Sequence, residues 1–164
     1  MNTLMQRWWR GQRGEWFVIA QFTLLLAIIL GPKTVAGLPP WPAHLFSLSS
    51  LGGVVLLVSG CLISLAAVLQ LRSNLTPLPH PKDDATLVVA GMYRFDRHPI
   101  YLGVMLMATG FALFVQGWLT PGEAVILALF FDIKSRREEI WLTERFPDYT
   151  ACQRRVWKLI PFRY

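Results

Sequence analysis

The chain has 164 residues, of which 54% are hydrophobic and 16% charged, against about 25% charged in a soluble globular domain. That balance excludes an ordinary soluble fold and points to a membrane protein of one domain, residues 1–164. The formal charge of +6 raises nucleic acid as a partner, but a basic excess also marks the loops of a membrane protein that stay in the cytoplasm, so the placement of the charges decides.

The N-terminus has the basic start and following apolar run of a signal peptide, yet Thr34-Val35-Ala36 matches a small-residue cleavage site poorly. A retained anchor over residues 16–30 is expected, with Trp8, Trp9 and Trp16 at the interface. Gly31-Pro32 and Leu38-Pro39-Pro40-Trp41-Pro42 then break any helix, because proline removes a donor and restricts the residue before it. The second apolar run, 45–71, exceeds the roughly 20 residues needed to cross the hydrocarbon core. Residues 72–97 contain Pro77, Pro79 and Pro81, which predicts an extended connection that serves as a lid or wall. A third run covers 99–118, with Pro99 suited to its first turn. After a very short loop a fourth, 122–133, passes into a charged stretch 134–146 that Pro147 ends. One helix should leave the membrane there and then lie along it, with the segment 134–164 as a helical cap. The expected fold is therefore all-α and polytopic, about four spans plus a C-terminal cytoplasmic or interfacial helix.

Basic residues support this order. Arg7, Arg10 and Arg13 precede the first run, Lys33 alone lies in the first loop, and Arg72, Lys82, Arg94 and Arg97 lie in the second. The third loop has none and the remaining eight of the sixteen are in the tail. Alternation of this kind follows the positive-inside rule and puts both termini and the second loop in the cytoplasm, as in a cell inner membrane. A nucleic-acid face has no reason to skip alternate loops, so no nucleic-acid partner is expected.

Gly53 and Gly60, and likewise Gly103, Gly110 and Gly117, recur every seven residues. Seven residues is close to two helical turns, so each set lines one face and lets a neighbouring backbone approach. A functional version of this pattern would have Gly103 leave room for a ligand beside Tyr101. Cys61 and Cys152 fall in different environments and are not expected to pair. Nucleotide-binding glycine loops, H-E-x-x-H and C-x-x-C are absent, and His44, His80 and His98 lack the spacing of a metal site.

What remains for chemistry is two polar clusters, Arg97-His98-Pro99-Ile100-Tyr101 and Arg136-Arg137-Glu138-Glu139. Taken alone, Arg97 and His98 also suit interfacial anchors, and the second cluster suits a solvated face laced with salt bridges. Adjacent carboxylates so near a membrane are less expected, because the anionic cytoplasmic leaflet favours basic residues.

The ordered pattern Gly91-x-Tyr93-Arg94-x-x-Arg97-His98-Pro99-x-Tyr101-x-Gly103, then Arg137-Glu138-Glu139-x-x-Leu142, Phe146-x-x-Tyr149 and Val156-x-x-Leu159-Ile160-Pro161, resembles the isoprenylcysteine carboxyl methyltransferase family. That family belongs to a larger group of integral-membrane methyltransferases that includes the phospholipid N-methyltransferases. The resemblance covers roughly residues 74–162. It implies a cytoplasmic pocket for S-adenosylmethionine, with Tyr93, Arg97, His98, Pro99, Tyr101, Leu102 and Gly103 on one wall and Glu138 and Glu139 on the other. Arg137 would hold an anionic group of the acceptor, and a carboxylate of the pair, Glu138, would accept a proton. Met92 stands where the family usually has proline, and Cys152 where a tyrosine is frequent.

The physical chemistry of that cofactor suits these residues. Its ammonium and hydroxyls want carboxylates, its carboxylate wants Arg or His, and its sulfonium is well placed near an aromatic face. The resulting expectation is methyl transfer to a lipophilic carboxylate, amine or phenol, with membrane lipids as surroundings and the oligomeric state left open. Two other readings stand beside it: a nicotinamide-dependent reductase of lipid or sterol double bonds, and a non-enzymatic membrane adaptor.

Overall fold

A computed structural model of the chain describes residues 13–81 and 84–159. Expectations that rest on Arg7, Trp8, Trp9, Arg10, Lys82, Ile160 or Pro161 lie outside these residues. The helices are α1 (Glu15–Leu30), α2 (Phe46–Leu71), α3 (Pro99–Val115), α4 (Thr120–Arg145) and the short α5 (Tyr149–Gln153). Among the described residues there is no strand, only an isolated parallel bridge between Asp96 and Trp157.

Each predicted apolar run is helical, but the runs differ in reach. By length and composition, the segment Ala43–Leu71 is the one helix able to cross a membrane among the described residues; α1 and α3 are apolar but shorter. The third run stops at Val115 rather than at residue 118, because Gln116 adopts a left-handed conformation (φ 55°) and caps α3. Gly117 then packs on the backbone of Lys33, whose carbonyl accepts the Leu119 N–H at 3.2 Å. The fourth run and the charged stretch form one uninterrupted 26-residue helix. Leu48, Leu51 and Leu62 on α2 and Leu129 and Ile133 on α4 are exposed; such apolar faces are a liability in water and are accommodated in hydrocarbon.

The seven-residue glycine pattern is resolved as helix packing. A Cβ at Gly53 would lie 2.7 Å from the Gly110 carbonyl oxygen and one at Gly110 would lie 2.6 Å from that of Gly53; Gly60 and Gly103 are matched in the same way, each 2.5 Å from the other's carbonyl oxygen. Antiparallel α2 and α3 thus interlock through two reciprocal glycine pairs, with backbones closer than any side chain permits. Gly103 turns its bare face to Gly60 and Ser64, so the expectation that it leaves room for a ligand is corrected.

On the other side α3 and α4 form a hairpin around Leu127, Phe131 and Ala108. α1 joins α4 through Phe17 and Phe130, ring centroids 6.1 Å apart, and through a hydrogen bond from Lys134 to Gln21. The tail returns to the start of α3, where the Arg97 N–H donates to the Trp157 carbonyl at 2.9 Å, and Lys158 pairs with Asp132 at 3.0 Å.

Candidate active site

The loop ahead of α3 is pinned before any ligand arrives. Gly91 holds a positive φ of 62°, and the next residue's N–H donates to Gln70 Oε1 of α2 at 2.7 Å. Asp96 Oδ1 accepts the His98 N–H at 2.6 Å. Burial raises the Asp96 carboxyl pKa above its ordinary range, against the opposing pull of that N–H and of the charges on His98 and Arg97. Pro99, in the first helical turn, needs no donor.

From this frame three rings line up between α3 and α4. His98 stacks on Tyr101 with centroids 5.4 Å apart and planes within 3°, and Tyr101 stacks on Phe131 at 4.7 Å and 15°. The His98 side chain is only 3% exposed and reaches both carboxylates, with Nε2 at 3.2 Å from Glu139 Oε1 and Nδ1 at 3.7 Å from Glu138 Oε2. Tyr101 donates its hydroxyl to Glu138 Oε2 at 2.7 Å.

Neighbouring positions on a helix diverge by about 100°, and the acidic pair diverges accordingly. Glu139 turns toward the protein, where Arg97 Nε lies 3.2 Å from Oε1 and Gln153 donates to Oε2 at 3.4 Å. Burial pushes the Glu139 carboxyl up, but the His98 hydrogen bond and the charges of His98, Arg97 and Lys158 outweigh it and hold the group below its ordinary value. Glu138 instead faces a cavity of about 340 Å³, within the usual size for a small-molecule site.

That cavity is amphipathic. Its polar end is formed by Tyr93, Arg97, His98, Tyr101, Glu138 and Tyr149. Its apolar side comes from Val68 and Leu71 of α2, from Ile100, and from the proline-rich connection, which supplies Leu75 to Pro79 and Leu87 to Val88 as a wall. Two donors at the polar end are buried without a partner among the described residues: the Tyr149 hydroxyl and Arg97 Nε, whose N–H is not aimed at the carboxylate it pairs with. Burial raises the phenol pKa of Tyr149 well above its ordinary value, helped by the charge of Glu139, and burial does the same for Tyr93, helped by Glu138. Both hydroxyls therefore remain donors at neutral pH.

Of the residues anticipated for the pocket, Tyr93, Arg97, His98, Tyr101 and Glu138 line it. Glu139 stands behind them, Pro99 is buried at the helix start, and Leu102 contributes its N–H to the His98 carbonyl. Arg137 does not match the role of gripping an acceptor: it is exposed, its guanidinium lies 4.7 Å over the Trp141 ring, and it is no part of the cavity lining. Among the polar lining residues outside the proline-rich connection, Gln21, Lys134 and Tyr149 were not anticipated for the pocket. Signals for two of them existed. Gln21 is a polar residue inside an apolar helix, which by itself marks a candidate site in a membrane protein, and Lys134 lies one turn before Glu138 on the same helix face.

The family profile described as phospholipid methyltransferase matches residues 48–149. Among solved structures, the chain shares its fold with a eukaryotic intramembrane Ras methyltransferase, isoprenylcysteine carboxyl methyltransferase, at 23% identity and a TM-score of 0.66. The match takes in 89% of this chain and 51% of that one, so the chain spans about half the length of that enzyme. No curated protein matches the sequence. The profile covers well over half of the chain, including both polar clusters that meet at the cavity, and the chain belongs to the phospholipid methyltransferase family of integral-membrane methyltransferases.

Proposed function

We propose that the protein transfers a methyl group from S-adenosylmethionine to a lipophilic acceptor whose polar end enters the cavity while its tail stays among the helices. The observation that carries this reading is the meeting of Arg97, His98 and Tyr101 with Glu138 at the polar end of a cavity whose other side is apolar. The residues fit the cofactor: Glu138 suits an ammonium or ribose hydroxyls, while the Tyr149 hydroxyl, without a hydrogen-bond partner among the described residues, suits an oxygen acceptor.

When bound, the cofactor supplies an electrophilic methyl on a sulfonium centre. The chain's own residues contribute position and dryness, which is most of what an in-line displacement asks of a protein. Glu139 holds Arg97 and His98 in place from behind, and the ring stack fixes Tyr101, whose hydroxyl in turn orients Glu138. For an amine or phenol acceptor Glu138 is the carboxylate within the cavity that can take the released proton; a carboxylate acceptor needs no base. We assign the mouth to the cytoplasmic face, with both termini on that side of the inner membrane and α1 to α4 as four spans, on the alternation of basic residues between loops.

The test is binding and turnover on purified full-length protein. S-Adenosylhomocysteine should bind and NADPH should not, and labelled methyl should pass from S-adenosylmethionine to an aminophospholipid or to a prenylated cysteine. Binding of NADPH alone would move the protein to the reductases.

A further inference from the structure

Lys134 is the least expected residue of the cavity. It lies in the middle of α4, 2% exposed, and its ammonium lines the polar end. Nζ donates to Gln21 Oε1 at 2.5 Å and stands 4.9 Å over the Tyr101 ring. Among the described residues no carboxylate is within ion-pair distance of it. Asp132 is taken by Lys158 and Arg136, and Glu138, one turn on, is taken by Tyr101 and His98.

A buried cation whose direct contacts are a neutral amide and a ring face, with the charge of Glu138 acting on it only from beyond ion-pair distance, is costly, and such charges are retained where an opposite charge joins them directly. An ammonium has three donors, and Gln21 uses one. A tie between α1 and α4 does not need the charge, because a neutral donor also bonds Gln21 and avoids the cost of burying a cation. Beside it, the charge of Arg97 is already answered by Glu139. That leaves Lys134 and Glu138 as opposite charges at the polar end with no direct ion pair between them among the described residues, so a ligand that carries both signs can answer each.

We propose that Lys134 is an anion-binding residue that receives a carboxylate or phosphate of the ligand filling the cavity. Gln21 and the Tyr101 ring hold the ammonium in place for it. The inference rests on the methyltransferase reading for its two sources of anion, the carboxylate of S-adenosylmethionine and the phosphate of a phospholipid acceptor.

The experiment compares parent, Lys134→Met and Lys134→Arg as purified full-length proteins. Binding is measured for S-adenosylhomocysteine and its decarboxylated analogue, and for a short-chain phosphatidylethanolamine and an alkylamine of matched chain length. Removing the charge should cost about tenfold or more in affinity for an anion-bearing probe and nothing for its anion-free counterpart, with arginine restoring most of the loss. Loss confined to S-adenosylhomocysteine assigns the cofactor's carboxylate; loss confined to the phospholipid assigns the phosphate. Lys134→Met also gives up the hydrogen bond to Gln21, but the loss of that tie alone would weaken probes with and without the anion alike, whereas loss of an anion site is selective.

Equal losses for probes with and without the anion, or no loss for any, would overturn the proposal. Should Lys134→Met not fold, the parent alone decides, because a parent that binds neither anion-bearing probe more tightly than its counterpart has no such site. A parent that binds phospholipid through its phosphate but binds no S-adenosylhomocysteine keeps the anion site and loses the methyltransferase reading. A parent that methylates acceptors without any dependence on Lys134 does the reverse.

Discussion

Helix α3 has two working sides, and they are built on opposite rules. Toward α2 it offers bare backbone at two points, with Gly103 and Gly110 set against Gly60 and Gly53 so closely that a Cβ at Gly60 would lie 2.5 Å from a carbonyl oxygen. Toward α4 it offers rings and charge, with His98 and Tyr101 stacked and tied to Glu138 and Glu139. Tyr101 and Gly103 are two positions apart, hence about 200° around the helix, and the difference teaches that a contiguous motif serves two tasks. Its polar members build the cavity and its glycine sets how near α2 can come to the helix that carries them.

The comparison breaks most visibly at the glycines. Gly60→Val should cost more than the ~1–3 kcal/mol of an ordinary overpacked core, because the obstacle is the Gly103 carbonyl rather than a movable side chain. The expected outcome is loss of folded protein, read as yield of monodisperse material and as melting temperature. Normal folding would show that the α2–α3 interface tolerates separation.

On the polar side, substitutions should spare folding and act on ligand affinity. Glu138→Gln removes the charge that faces the cavity, and His98→Ala removes the ring that reaches both carboxylates. Loss of a hydrogen bond to a charged group is worth about 1.5–3 kcal/mol, or roughly ten- to over a hundredfold in affinity. Each variant should bind S-adenosylhomocysteine that much more weakly, whereas His44→Ala, ahead of α2, should bind like the parent. Glu139→Gln should differ from Glu138→Gln, since it releases Arg97, His98 and Gln153 from behind. Identical behaviour of the two Gln variants would remove the distinction between a carboxylate that faces the ligand and one that positions its neighbours.

A smaller effect concerns pH. The Glu139 carboxyl is lowered in the folded protein, so it binds its proton less readily there than in the unfolded chain. Its contribution to stability is therefore present above the ordinary carboxylate pKa of about 4.3 and is lost as pH falls through the lower folded value. Asp96, which is raised, works in the opposite sense, so the parent alone is a poor reporter. The difference in melting temperature between parent and Glu139→Gln should shrink as pH drops below that range, and a constant difference would contradict the ion-pair account.

Much of this was legible from residue spacing. The apolar runs give the helices, the glycine heptads give the α2–α3 seam, and proline punctuation gives the wall of the cavity. The meeting of the two clusters across about forty residues follows from the very short hairpin connection. Less legible was anything decided by direction within a turn. Spacing did not reveal that Arg137 and Glu138 point to different surroundings, or that Lys134 ends beneath Tyr101. The contribution of α1 through Gln21 depends on which helix packs beside α4, and no local pattern encodes that.

Arg137 provides the smallest expected effect and the sharpest control. It adjoins Glu138 in sequence and shares its motif, so a reading by proximity alone gives both residues a part in binding. The structure separates them: Glu138 faces the cavity, while Arg137 is exposed and stacks on Trp141. An exposed cation on an aromatic face contributes about 0.5–1 kcal/mol, and that energy belongs to the helix surface rather than to the ligand. Arg137→Ala should therefore leave affinity for S-adenosylhomocysteine within about twofold of the parent and lower the melting temperature only slightly. A loss as large as that of Glu138→Gln would mean that α4 turns, or Arg137 swings inward, when the cavity fills, and the division between the two sides of this turn would have to be redrawn.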